Sequence, residues 1–200
     1  MRLFLLSLPL LALGACKDAE DPHGHDENEV ITTVVLTFTP TGGGGSLEFT
    51  WADPEDDGSP VIDDVTLSDA ADYDLTIQFL NELASPAEDL TEEVADESDE
   101  HQVFVLGSAV QGPATGDSAG AVITHRYDDA DGNGDPIGLA NGVETIMPGS
   151  GELQIVLRHL PPENDTPVKT ATLADDVATG GLSAIGGSTD ADVSFDLTVE

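Results

Sequence analysis

VITTVVLTFTPTGGGGSLEFTWA, residues 30–52, decides the fold class. Its first ten residues are rich in β-branched side chains, which restrict χ1 and suit a pleated, half-buried surface, so they read as a strand. Pro40 and the glycines at 42–45 break that strand. SLEFTWA then alternates apolar and polar positions with a period of two, which places Leu47, Phe49 and Trp51 together on one face of a second strand.

The same period recurs at 61–67, 73–80, 102–106, 120–127, 152–159 and 192–199, between turn signals such as Gly112-Pro113, Pro148-Gly149 and Gly186-Gly187. Only SPAEDLTEEVADESD, residues 85–99, differs; an early proline, early acids and later helix formers predict a short acidic surface helix. About eight strands without strand–helix alternation predict an all-β fold, an antiparallel β-sandwich of Ig-like or jelly-roll-like kind over residues 30–200.

Upstream, MRLFLLSLPLLALGAC carries Arg2, an apolar run and small residues before the chain's single cysteine, the layout of a secretory signal over residues 1–15. The apolar run is much shorter than the ~20 residues a spanning helix needs. Leu13-Gly14-Ala15-Cys16 has the form of a bacterial lipobox, so Cys16 is the expected lipidation site and the bilayer the first expected partner. An acylated Cys16 leaves no thiol for a disulfide, a cysteine zinc site or nucleophilic catalysis. Residues 16–29 are polar, acidic and without apolar period, and read as a tether that contains His23 and His25.

Forty acidic residues stand against five Lys and Arg, a net charge of −35. No basic stripe exists to neutralise phosphates, which excludes nucleic acid as a partner. Such acidity either adapts a whole surface to salt or gathers cations. GxSxG, GxxxxGKS, HExxH and paired CxxC spacings are absent, and carboxylates this abundant nominate no general acid or base, so a binding role without catalysis is expected.

Two cation chemistries are legible. In DADGNGD, Asp129, Asp131, Asn133 and Asp135 alternate with small residues, an oxygen-rich pattern suited to calcium, although Ala140 stands where an EF-hand places its bidentate glutamate. Such loops also serve simply as turns. Asp53, Glu55, Asp56 and Asp57 form a less regular second cluster. For zinc or copper the candidates are His23 and His25 in the tether and His101, His125 and His159 at strand ends. By parity His101 shares a face with Val103 and Val105, His125 with Ile123 and Tyr127, and His159 with Ile155 and Leu157. Histidines on apolar faces are commonly core residues bonded to backbone; should they converge on a metal, Glu97 and Glu100 are the carboxylates expected to orient them.

EVITTVVLTFTP (29–40), Asn81-Glu82, EDLTEEVADESDEHQ (88–102), DDADGNGDPIGL (128–139), GELQIVLRHLP (151–161) and DADVSFDLTV (190–199) together resemble a family of bacterial surface lipoproteins often labelled type 1 periplasmic binding fold superfamily proteins. The resemblance implies an envelope location, with the outer membrane favoured, but no defined activity. A periplasmic binding fold has two α/β lobes and more helices than this sequence supplies, so the all-β expectation stands. The expected function is capture of a divalent metal for an envelope transporter or receptor. The alternative is a structural or adhesive surface module with calcium-stiffened loops.

Overall fold

The computed structural model describes residues 29–164, 166 and 168–200. The expected signal, Cys16, His23 and His25 lie outside the described residues. No helix among the described residues is long and apolar enough to cross a membrane.

The chain is predominantly β and forms two sheets. β1 (Thr33–Pro40) pairs antiparallel with β2 (Leu47–Ala52), with Leu36 opposite Phe49, so the two strands read from the opening stretch are joined as a hairpin. The 61–67 run divides into β3 (Val61–Ile62) and β4 (Val65–Leu67), which join different sheets. β5 (Asp72–Asn81) lies on the other side of β1 and carries β6 (Glu88–Asp89) at its end. The short helix α1 (Thr91–Asp96) then leads into β7 (His101–Leu106) and β8 (Val110–Gln111). β9 (Ile123–Tyr127), β10 (Ala140–Thr145) and β11 (Gly149–His159) precede the helix α2 (Leu173–Gly180), and β12 (Ser188–Val199) closes the described chain.

The larger sheet runs β3-β2-β1-β5-β10-β9-β8, and the smaller runs β4-β12-β11-β7. Alternation explains why they share a core. Val34, Leu36 and Phe38 of β1, and Leu75, Ile77 and Phe79 of β5, turn one face inward; Val103, Val105, Ile155, Leu157, Val193 and Phe195 turn inward from the smaller sheet, and all belong to one buried cluster. Every residue of β7 is buried, because the opposite face of the smaller sheet is covered too: Phe104 and Val156, which are register partners, pack with Leu160 and with Leu173, Ala174 and Val177 of α2.

Three features depart from expectation. β12 with β4 and β8 with β9 pair in parallel, so the sheets are mixed rather than purely antiparallel. β10 was not expected, because Asn141 and Gly142 interrupt its alternation; Asn141 is nonetheless buried and donates to the Gly138 carbonyl. α2 is a second helix beside the expected one: LADDVATG is too short to display a helical period, yet it buries Leu173, Ala174 and Val177 and places Asp175 and Asp176 in its first turn, where the helix dipole favours acids.

Candidate metal centre

The antiparallel register of β7 and β11 sets His101 directly opposite His159, the first residue of one strand against the last of the other. Directly paired side chains start ~5 Å apart at Cβ. The two imidazoles accordingly stack, with centroids 4.7 Å apart and planes 7° from parallel. Both residues are buried, at 1% and 7% exposure.

α1 supplies the third group. Glu97 caps its C-terminal end with a backbone N–H donated to the Glu93 carbonyl, and Glu100 N–H donates back to the Glu97 carbonyl at 2.8 Å, so the chain turns tightly before entering β7. That turn brings Glu97 over the imidazoles. One ligand atom from each of Glu97, His101 and His159 lies within 4.8 Å of the others. His101 Nδ1 lies 3.2 Å from the Glu97 carbonyl oxygen, so it carries the proton that is donated there and Nε2 presents its lone pair. Ligating histidines are commonly held this way, by a backbone acceptor on the second nitrogen.

Around this triad the surroundings are acidic. Glu100 Oε2 is 3.7 Å from His159 Nε2, and Asp190 Oδ2 is 3.7 Å from His101 Nε2. Burial, then His159, holds His101 below the ordinary imidazole range, while burial pushes the Asp190 carboxyl up against the opposing pull of His159 and Arg158. Glu29, partly buried, is raised to about 7, first by burial and then by the nearby charges of Glu93, Asp190, Glu97 and Glu88. A surface hollow of about 440 Å³, lined by Asp89, Glu92, Glu93, Asp96 and Glu97, lies along α1 and reaches the triad at Glu97. Its single sign of charge concentrates cations at that point.

Lys169 locks the turn in place. Its Nζ donates to the Ser98 carbonyl at 2.6 Å and pairs with Asp131 Oδ2 at 3.0 Å, both side chains being 1% exposed. Compared with protein-family models, curated proteins and solved structures, the chain matches none.

The remaining sequence candidates do other work. His125 stands apart from the triad: its Nε2 donates to Asn141 Oδ1 at 2.9 Å, and its ring meets Tyr127 edge-on with centroids 4.8 Å apart. That is a buried, hydrogen-bonded histidine on the larger sheet. In the DADGNGD loop, Asp129 accepts N–H donors from Gly138, Leu139 and Ala140, while Asp131 Oδ1 accepts from Asn133 and Asp135 and its other oxygen faces Lys169. These carboxylates accept backbone donors and meet a lysine, as turn formers do, and Asp129, Asp131 and Asp135 are not among the converging metal-ligand groups of the described residues. Asp53 likewise accepts from Asp57 and Gly58 as a turn former.

Glu97 stands among the three converging groups, whereas the sequence suggested only an orienting role. Asp190 and Glu29 were not anticipated. Asp190 precedes the alternating run ADVSFDLTV with nothing in its composition to distinguish it, and its position depends on a local irregularity of β12.

Proposed function

We propose that this protein is a lipid-anchored envelope β-sandwich that captures a divalent transition metal between His101, His159 and Glu97, for delivery to an envelope transporter or receptor. The observation that carries the reading is the buried, stacked His101–His159 pair with a carboxylate ligand atom within 4.8 Å of both. Two imidazoles and a carboxylate, without thiolate, form a borderline donor set that suits zinc, copper or another late first-row ion. Ligand atoms around a tetrahedral zinc stand ~3.3 Å apart, given bonds of ~2.0–2.1 Å, so closure requires the near-parallel rings to turn until their in-plane lone pairs meet at one point.

Two sheets sharing one core support the sandwich, and the lipobox before Cys16 supports the anchor. Anchoring gives the acidic hollow a purpose: a cation crossing the envelope meets a negative surface held at the bilayer. Binding without turnover is the simpler reading, since no nucleophile or cofactor motif accompanies the triad. The calcium-stiffened surface module ranks second, because among the described residues the loop aspartates do not form a converging group as Glu97, His101 and His159 do.

Equilibrium dialysis of the full chain against zinc, with the His101→Ala and His159→Ala variants, tests the proposal. Zinc held by the native chain and released by either variant supports it; zinc retained by both contradicts it.

A further inference from the structure

The geometry points to Asp190 as a fourth ligand, converting the triad into a centre of two imidazoles and two carboxylates; this rests on the metal-capture reading above. Three observations lead there. β11 and β12 shift register between Leu157 and Arg158: Leu157 pairs with Ala191 and Arg158 with Thr189, so Asp190 falls outside the ladder. Such bulges bend a strand and re-aim a side chain. The Asp190 side chain is fully buried, and among the described residues neither carboxylate oxygen has a hydrogen-bond partner. A buried carboxylate without donors is strongly unfavourable, and a proton, a water or a cation has to meet it.

The third observation identifies where that partner sits. Asp190 Oδ2 is 3.7 Å from His101 Nε2, and Nε2 is itself buried without a hydrogen-bond partner among the described residues. With the Nδ1 proton committed to the Glu97 carbonyl, the oxygen and the nitrogen face each other as two acceptors. Two lone pairs across 3.7 Å approach the ~3.3 Å separation of neighbouring ligands on a four-coordinate metal; Asp190 lies outside the 4.8 Å group of Glu97, His101 and His159, so joining them on one ion takes a further side-chain adjustment. Arg158, a fixed cation acting on Asp190, commits its two terminal nitrogens to Thr189 Oγ1 and the carbonyls of Gly186 and Gly187, while its Nε is buried without a hydrogen-bond partner among the described residues. It therefore holds the bulged segment without neutralising the carboxylate by a direct bond.

Asp190→Asn in the full chain tests this, with zinc affinity read by chelator competition and cobalt(II) as the spectroscopic probe. The expected result is a loss of at least tenfold in zinc affinity and an altered intensity of the cobalt visible bands. Glu48→Gln, which removes an exposed carboxylate of β2 on the larger sheet, should change affinity less than threefold. Native affinity with an unchanged cobalt spectrum in Asp190→Asn would overturn the inference, leave the triad standing and mean that Asp190 merely shares a proton with His101. Absence of metal binding by the native chain overturns both. Should Asp190→Asn fail to fold, Asp190→Glu, which keeps the charge but moves the carboxylate by one methylene, is judged by the same two readouts.

Discussion

His101 and His159 stack face to face across neighbouring strands of the smaller sheet, 58 positions apart in sequence and 4.7 Å apart at their ring centroids. Two imidazolium ions cannot share this position cheaply, and His101 is already held below the usual range by burial and by His159. In the unfolded chain it titrates at ~6.5, so below that pH the unfolded state binds more protons and stability falls as pH drops through the window between the two values. Thermal melting of the metal-free chain from pH 8 to pH 5 should show this loss, and His101→Gln should flatten the slope. An identical slope in the variant would assign the acid sensitivity elsewhere.

Glu29 has the opposite sign. Its carboxyl is raised to about 7 from the ordinary 4.5, so the native state prefers it protonated. The resulting penalty is absent below ~4.5 and complete above ~7, and stability falls as pH rises between them. Glu29→Gln should therefore raise the melting temperature at pH 8 and leave it unchanged at pH 4. Zinc at the triad should shrink the difference at pH 8, since a cation among these carboxylates offsets their mutual repulsion.

Lys169 and Asp131 form an ion pair with both side chains 1% exposed, and removing one partner leaves a buried charge. Lys169→Met should cost about 3–5 kcal/mol in urea unfolding, a large share of the ~5–15 kcal/mol that holds a typical domain together. Asp131→Asn should cost less, because its amide retains hydrogen-bonding capacity. The double variant should cost less than the sum of the two, the signature of direct coupling. Zinc affinity should also fall in Lys169→Met, since Lys169 fixes the Ser98 carbonyl in the turn that carries Glu97.

Gly187 has φ of +78°, and a Cβ there would run into the carbonyl of His159. Gly187→Ala combines left-handed strain with a backbone clash. It should lower stability by ~1–3 kcal/mol and shift His159 off its stack, weakening zinc as well. A melting curve and a zinc titration on the same preparation check both.

Much of the fold was legible in period and punctuation. The hairpin of β1 and β2 follows from β-branched runs divided by glycines, and parity placed His101 beside Val103 and His159 beside Leu157 on the core face. What parity does not contain is register. That His101 meets His159 while His125 bonds Asn141 depends on which strands are neighbours, a long-range outcome invisible in any local window. Asp190 was hidden for a related reason: a bulge moves a residue off the alternation on which the reading depends. The DADGNGD loop shows the converse limit, since carboxylates arranged for a cation and carboxylates arranged to accept backbone N–H groups use the same residues.

Lipid attachment is tested separately. Growth with a radiolabelled fatty acid should label the native chain and not Cys16→Ser, and the label should follow the envelope fraction. A labelled Cys16→Ser chain would place the lipid on another residue, and an unlabelled native chain would move the protein off the membrane; neither result touches the metal centre.

The most direct measurement is zinc stoichiometry by equilibrium dialysis of the full chain at pH 7.5, compared between the native protein, His101→Ala/His159→Ala, and His23→Ala/His25→Ala. The account predicts that the first double variant loses one zinc equivalent while the tether variant keeps it. Equal zinc in the native chain and in His101→Ala/His159→Ala, or none in either, would contradict it.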